Sequence, residues 1–568
     1  MDYKDINKKY KKYKLKKSNK KMKDICKPRS FKLQPQQQFL AEYFSNRKGP
    51  KGVLVYHKIG AGKTCTAINI AEKLKKKMQI TVVLPAALIG NFRDELRSQC
   101  PGDEYLNNKE RKQLDKLKPN DKKFKQIIKK SNDKINKYYR IFSYHKFVEI
   151  CKNKFECNKK GITLKNNLLI IDEVQNMISE SGAFYNNLKK IIDRTDNSLR
   201  IVLLSATPMF DKPVEIALTL NLLKPKIPIP IGTEFNNMFL KAKQLKDGIY
   251  YDSKNINKFK KMVTGLVSYY RGAEPVAFPE AIFKTVRCKM QHFQYASYLA
   301  SESDTKHRIR GSFKSIDLLK LPNDFALGQR MISNISFPNK RIGTKGFNSL
   351  TKKLLQIQNI KDYSIKFYKI YKKINKSEGP CFIYSNFKGI GGLQSIIKFF
   401  ETHGYKNYKT YGEGEKRFAV WTGDEKHHIK EEIKHIFNQK SNKNGNKLKI
   451  MLGSPSIKEG ISLLRVDQVH ILEPYWNIAR MQQIIGRAIR FCSHKDMPKR
   501  RRRVEIFLYL ATYPGKKTID QYIWNLAKKK FKLIDNFERA LKEMAIDCKL
   551  FYERNVYKNE EPLECYSL

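Results

Sequence analysis

The sequence predicts an α/β protein made of two parallel-sheet lobes, with a helical insertion between them and a helical extension after the second. Three observations predict it. Short, continuous apolar runs alternate with helical patterns over residues 31–228, the rhythm of strands buried on both faces of a parallel sheet. That rhythm lapses over 229–345 and returns over 378–513. From Thr518 onward, apolar residues recur at helical spacing, with Ile519, Tyr522, Ile523, Leu526 and Ala527 on one face.

The elements follow in order. Residues 1–28 hold twelve Lys against three Asp with little apolar periodicity, the composition of a basic disordered arm. A first lobe over 29–228 has strand-like runs at 51–56, 80–84, 140–143, 168–172 and 200–205. The insertion, 229–345, carries Pro228-Ile-Pro230, polar helical patterns and an aromatic stretch at 267–272, and reads as a bridge. A second lobe over 346–515 has strand-like runs at 381–384, 418–421, 449–452, 468–472 and 504–510. A helical extension occupies 516–568.

Residues 57–64 read His-Lys-Ile-Gly-Ala-Gly-Lys-Thr, between the first strand and a helix-like run. Strand, glycine-rich turn, helix is the setting of a phosphate-binding loop. Gly60 and Gly62 let backbone N–H groups face phosphate oxygens, and the helix N-terminus adds its partial positive charge. Lys63 reaches toward β- and γ-phosphates, and the Thr64 hydroxyl is a candidate Mg²⁺ ligand. His57, Lys58, Ile59 and Ala61 complete the candidate loop, with His57 where a first glycine is usual.

The run 167–171 ends in Asp172 and Glu173. The carboxyl end of a buried parallel strand is where ligands sit in an open α/β sheet. Asp172 is the candidate Mg²⁺ ligand, and Glu173 the candidate general base that polarises water. Gln37, just before the first strand, is placed to read an adenine edge with its amide. Ser205-Ala-Thr-Pro208 ends the last strand of the first lobe, and the Ser205 and Thr207 hydroxyls are candidates to couple the ATP site to the strand-binding surface. In the second lobe, Gly460 lies in a strand-end segment. Gln483-Ile-Ile-Gly-Arg-Ala-Ile-Arg490 puts Arg487 and Arg490 on one helix face, with Gln483 ahead of them. Planar guanidinium forks suit the charge on a transferring γ-phosphoryl group.

Bulk properties bound the function. The net charge of +60 implies a polyanion partner, and the block 499–503 concentrates the arginine. No apolar stretch of the ~18 residues a membrane helix needs is present, and the lysine-rich start is not a secretory signal. Ten scattered cysteines without a Cys-x-x-Cys pair predict free thiols in a reducing compartment and no structural zinc.

In this order, the segments resemble superfamily 2 helicases and translocases over roughly residues 31–510. Leu33-x-Pro-x-Gln37 and Pro474-Tyr-Trp-Asn477 are similar to the chromatin-remodelling type of DNA translocase. The segments 267–272, 490–494 and 541–548 resemble the viral branch found in poxviruses, other large cytoplasmic DNA viruses and yeast cytoplasmic linear plasmids. That branch includes nucleoside triphosphate phosphohydrolase I and the small subunit of the early transcription factor. The resemblance implies two RecA-like lobes, ATP with Mg²⁺, movement on DNA during viral-type transcription, an RNA polymerase or transcription-factor partner, and a cytoplasmic viral factory or virion location. The family usually has His where this chain has Gln175, whose amide can both donate and accept in the coupling role. Two alternatives are an ATP-switched promoter-binding subunit and an RNA helicase.

Overall fold

Parallel strands form two separate sheets, as the apolar runs require. The computed structural model describes the chain apart from residues 1–2, 18–19, 28–30, 47–48, 59, 115–116, 118–120, 158–163, 180–181, 246–247, 309–316, 318, 320, 322–323, 459–460, 558–559 and 568. The first lobe supplies β1 (Gly52–His57), β2 (Gln79–Leu84), β3 (Tyr139–Ser143), β4 (Asn167–Ile171) and β5 (Arg200–Ser205). A hairpin of β6 (Leu240–Leu245) and β7 (Gly248–Ser253) follows. Then come β8 (Val267–Tyr270) and β9 (Glu280–Lys289). The second lobe adds β10 (Cys381–Tyr384), β11 (Lys406–Asn407), β12 (Arg417–Trp421), β13 (Ile450–Gly453), β14 (Gln468–Ile471) and β15 (Arg503–Thr512).

The first sheet runs β3-β2-β4-β5-β1-β8 and the second β11-β12-β13-β10-β14-β15-β9, all pairs parallel. All ten predicted strands are present. In β1, Leu54 and Tyr56 enter one apolar cluster while Val53 and Val55 enter the cluster on the opposite face. Two-sided burial is why these strands read as unbroken apolar runs.

The bridge expected over 229–345 is helical at Gly232–Phe239, Ile256–Val263, His292–Arg308 and Leu327–Asn334. It also holds β6 to β9. The aromatic stretch is β8, the edge strand next to β1, and β9 pairs along the full length of β15 at the edge of the second sheet.

The basic arm departs from expectation. Tyr3–Lys9 and Met22–Ile25 are helical, and Ile6, Tyr10 and Met22 are buried. Tyr10 packs edge-on against Phe39 at 5.2 Å, and the Tyr3 hydroxyl donates to the Met544 carbonyl at 2.7 Å. Ile6 and Tyr10 are four apart, so one turn puts both on the lobe while the lysines face water. High mean charge concealed a short amphipathic face.

The C-terminal helix Ile519–Glu543 starts at a Thr518–Gln521 capping box. Its first turns (Ile519, Tyr522, Ile523, Leu526) pack with Trp476 and Ala511 of the second lobe. Its last turns (Leu533, Ile534, Phe537, Leu541) enter the first lobe's core. The extension therefore braces both lobes.

The expectation of free thiols is overturned for six cysteines. Cys26–Cys492, Cys65–Cys100 and Cys548–Cys565 are disulfide-bonded, and Cys288 and Cys381 are free and buried. The partners lie 466, 35 and 17 residues apart, with no repeated spacing that would mark them as pairs.

Candidate active site

The end of β1 turns sharply because Gly60 and Gly62 both take positive φ, +83° and +73°. At Gly62 the positive φ strains any L side chain, and a Cβ there would stand 2.5 Å from Gln37 Nε2 and push its amide aside. Gln37 Nε2 donates to the Gly62 carbonyl at 3.2 Å, while its Oε1 accepts from the Gln34 N–H at 2.8 Å. Both ends of that amide buttress the loop, and Gln37 lines the cavity behind it rather than the cleft. The helix Lys63–Leu74 then begins with Lys63 and Thr64 facing a cleft of about 420 Å³.

Lys63 Nζ lies 2.7 Å from Glu173 Oε1 and 3.4 Å from Asp172 Oδ1. The two carboxyls respond differently. Burial pushes the Asp172 carboxyl up, more than Lys63 pulls it down. Burial also opposes charge on Glu173, but Lys63, the Gln175 hydrogen bond and the Arg487 field together hold it below the usual carboxylate range. Glu173 is therefore ionised at neutral pH. Its backbone sits at φ +50°, fixed by the Tyr144 hydroxyl, which donates to the carbonyls of both Asp172 and Glu173. Tyr144 had no sequence signal; it comes from the end of β3.

A line of hydrogen bonds leaves Glu173. Gln175 Nε2 donates to Glu173 Oε2 at 2.5 Å, and Ser205 Oγ donates to Gln175 Oε1 at 2.7 Å. The Thr207 N–H donates to Ser205 Oγ at 3.0 Å, and Gln483 Nε2 of the second lobe donates to Thr207 Oγ1 at 3.3 Å. All three predicted coupling positions, Gln175, Ser205 and Thr207, fall on this one line, and Gln483, predicted with the arginines, ends it. An amide suits the middle place because it donates on one side and accepts on the other.

Arg487 and Arg490 line the same cleft as Lys63, Thr64 and Glu173. The shared helix face is corrected: the helix Ile478–Ala488 ends before Arg490, which follows the C-cap Ile489. The guanidiniums still converge, both donating to the Ile461 carbonyl, at 3.5 and 3.3 Å. Burial, then the neighbouring Arg487, lowers the Arg490 guanidinium to about 10. Among the described residues its buried Nε has no hydrogen-bond partner. A positive, under-satisfied pocket opposite a phosphate-type loop fits a triphosphate.

Two loop residues find side-chain partners within the fold. His57 is fully buried, its Nε2 bonded to Ser268 Oγ at 3.1 Å, and burial followed by the Lys63 charge lowers it to about 3. Its ring is a neutral link from the loop to β8. Lys58 turns its ammonium to Glu538 at 3.8 Å. Both side chains are tied into the fold, and both residues also line the cleft. Ile59 and Gly460 lie outside the described residues.

Residues 30–210 match the family described as Type III restriction enzyme, res subunit, and residues 365–492 match the helicase conserved C-terminal domain. A protein of Acanthamoeba polyphaga mimivirus, named as an ATP-dependent RNA helicase, is 48% identical over 99% of this chain and 97% of its own length. A termination factor NPH-I homolog of African swine fever virus is 25% identical over 88% of this chain and 76% of its own. Among solved structures, the Hef helicase domain of Pyrococcus furiosus aligns with a TM-score of 0.45 at 14% identity, over 89% of this chain and 99% of that one. The chain belongs to the ATP-hydrolysing superfamily 2 helicases, in a branch carried by large DNA viruses.

Proposed function

We propose that the chain couples ATP hydrolysis to movement along DNA during viral-type transcription, at initiation or at termination and transcript release. The observation that carries this reading is the hydrogen-bonded line from Glu173 through Gln175, Ser205 and Thr207 to Gln483, because it joins the candidate water-activating carboxylate to the opposite lobe. In this reading Lys63 and the loop N–H groups hold the β- and γ-phosphates, and Glu173 orients the attacking water. Arg487 and Arg490 stabilise the γ-phosphoryl charge. Thr64 and Asp172 offer the hard oxygen donors Mg²⁺ takes, and the ion would neutralise charge between the phosphates.

DNA is favoured by the remodeller-like segments at 33–37 and 474–477 and by relatives named for termination. The name of the 48% identical relative favours the alternative, an RNA helicase. An RNA polymerase or transcription-factor subunit is the expected protein partner. A viral factory in the cytoplasm is the proposed place of action, and three disulfides fit a further stay in the oxidised interior of a virion.

The test is steady-state ATPase at fixed salt with no polymer, duplex DNA, single-stranded DNA and RNA, with Glu173→Gln as background. Stimulation by DNA supports the proposal, and stimulation by RNA alone transfers it to an RNA helicase. Arg490→Ala should retain ATP binding but lose about 10³-fold or more in turnover, as for a missing arginine finger. Near-normal turnover in that variant would remove the arginine assignment.

A further inference from the structure

The ordered arm creates a surface that the ATP site does not use. Lys17, Lys20 and Lys21 of the arm and Lys499 and Arg502 of the second lobe, more than 400 residues away in sequence, line one groove of about 850 Å³. Its lining shares no residue with the cleft that holds Lys63, Glu173 and Arg490. Lys17, Lys20, Lys21 and Lys499 are exposed, and Lys17, Lys21 and Lys499 make no side-chain ion pair among the described residues.

The acidic groups there are already engaged. Glu274 is paired with Arg554, and Glu553 accepts the Lys17 N–H at 3.1 Å and faces Lys14 at 3.7 Å. The groove is therefore strongly positive along its length. Its floor is apolar and aromatic: Val276 is 43% exposed beside Pro275, and Tyr557 is held under the Arg271 guanidinium at 4.0 Å.

Spaced cations over an apolar, partly aromatic floor match a single strand, whose phosphates follow the charges while unpaired bases rest on the floor. We propose that this groove binds the sugar–phosphate backbone of a single-stranded nucleic acid, as a second track outside the ATP cleft. The proposal rests on the nucleic-acid reading above and adds where a strand is held. The groove bridges both lobes, so an occupying strand would feel each change in their separation.

The experiment measures anisotropy of labelled oligouridylate and oligothymidylate against salt. The full-length protein is compared with a Lys17→Gln, Lys21→Gln, Lys499→Gln variant. A charge-matched control carries Gln at Lys122, Lys125 and Lys129, exposed on the helix Lys122–Tyr138. Three lost phosphate contacts should flatten the log–log salt slope by about 2 for a single strand, with the control unchanged. ATPase without polymer should stay at the wild-type level in both. The RNA and DNA arms show which strand is held more tightly.

A groove variant with the slope of the control would overturn the proposal, even while polymer still stimulates the ATPase. Absence of any strand binding by the wild-type protein would instead overturn the nucleic-acid reading, and the groove with it.

Discussion

At the scale of single residues, Gln175 is the informative position. Its side-chain amide donates to Glu173 and accepts from Ser205. Gln175→Leu keeps the volume and removes both bonds. Leaving buried polar partners unmet costs about 1–3 kcal/mol, or roughly 5- to 150-fold if that cost falls on the transition state. The expected outcome is lower kcat with ATP affinity close to wild type, because no phosphate is placed on Gln175. A Gln175→His variant, which restores a donor and an acceptor, should recover part of the rate. Equal loss of ATP binding and turnover in Gln175→Leu would mean the residue shapes the pocket rather than coupling it. The loop, Asp172, Glu173 and the arginines were legible from sequence because each sits at a strand end or in a compact motif. Tyr144 was not, since one tyrosine after a strand says nothing about which carbonyls its hydroxyl will meet.

Elements differ in how plainly they are written. Strands buried on both faces announce themselves, as Leu168 to Ile171 do. The edge strands β8 and β9 do not: Val-Ser-Tyr-Tyr mixes polar and aromatic residues, and β9 exposes most of its side chains along the outer edge of the second sheet. The partner of β8 is also illegible locally. Ser268 donates to Asp547, which accepts the Tyr269 N–H at 2.9 Å as well, and His57 completes the chain across hundreds of residues. Burial pushes the Asp547 carboxyl up to about 7 against those hydrogen bonds. An acid that holds its proton more tightly when folded loses folded-state stability as pH rises, from the unfolded value near about 4 up to about 7. Asp547→Asn preserves an acceptor for Tyr269 and a partner for Ser268. Its Tm should therefore fall less than that of wild type between about pH 4 and pH 7. Parallel Tm curves for the two proteins would show that Asp547 does not titrate there. In the same region, Phe537 of the C-terminal helix is fully buried against Phe235 and Phe259. Phe537→Ala should cost about 3–5 kcal/mol, read as a lower midpoint of chemical unfolding, because the extension is part of the first lobe's core.

For the whole molecule the question is how far the lobes can part. Gln483 meets Thr207 and Asn477 meets the Phe210 carbonyl across the cleft, contacts that break and reform easily. The helix Ile519–Glu543 packs into both cores and so braces the two lobes. Cys26–Cys492 is of another kind. It ties the arm, which is packed on the first lobe, to the loop two residues beyond Arg490. Release of ADP needs the cleft to open, and lid or lobe opening limits many such enzymes. A covalent tie beside the arginines restricts that opening while it is intact. A dithiol reductant supplies two electrons and two protons, leaves two cysteine thiols and is itself oxidised to a disulfide. Steady-state turnover of the wild-type protein should therefore rise on reduction. A Cys26→Ser, Cys492→Ser variant should already be at the higher rate and respond little, since Cys65–Cys100 and Cys548–Cys565 each lie within the first lobe and its packed extension. The tie also constrains the unfolded chain, so the variant should lose about 2–4 kcal/mol of stability under non-reducing conditions. Faster turnover together with a lower Tm is the joint signature of a lock between lobes. A lower Tm with unchanged turnover would leave the bond as a staple for the arm and place the limiting step elsewhere in the cycle.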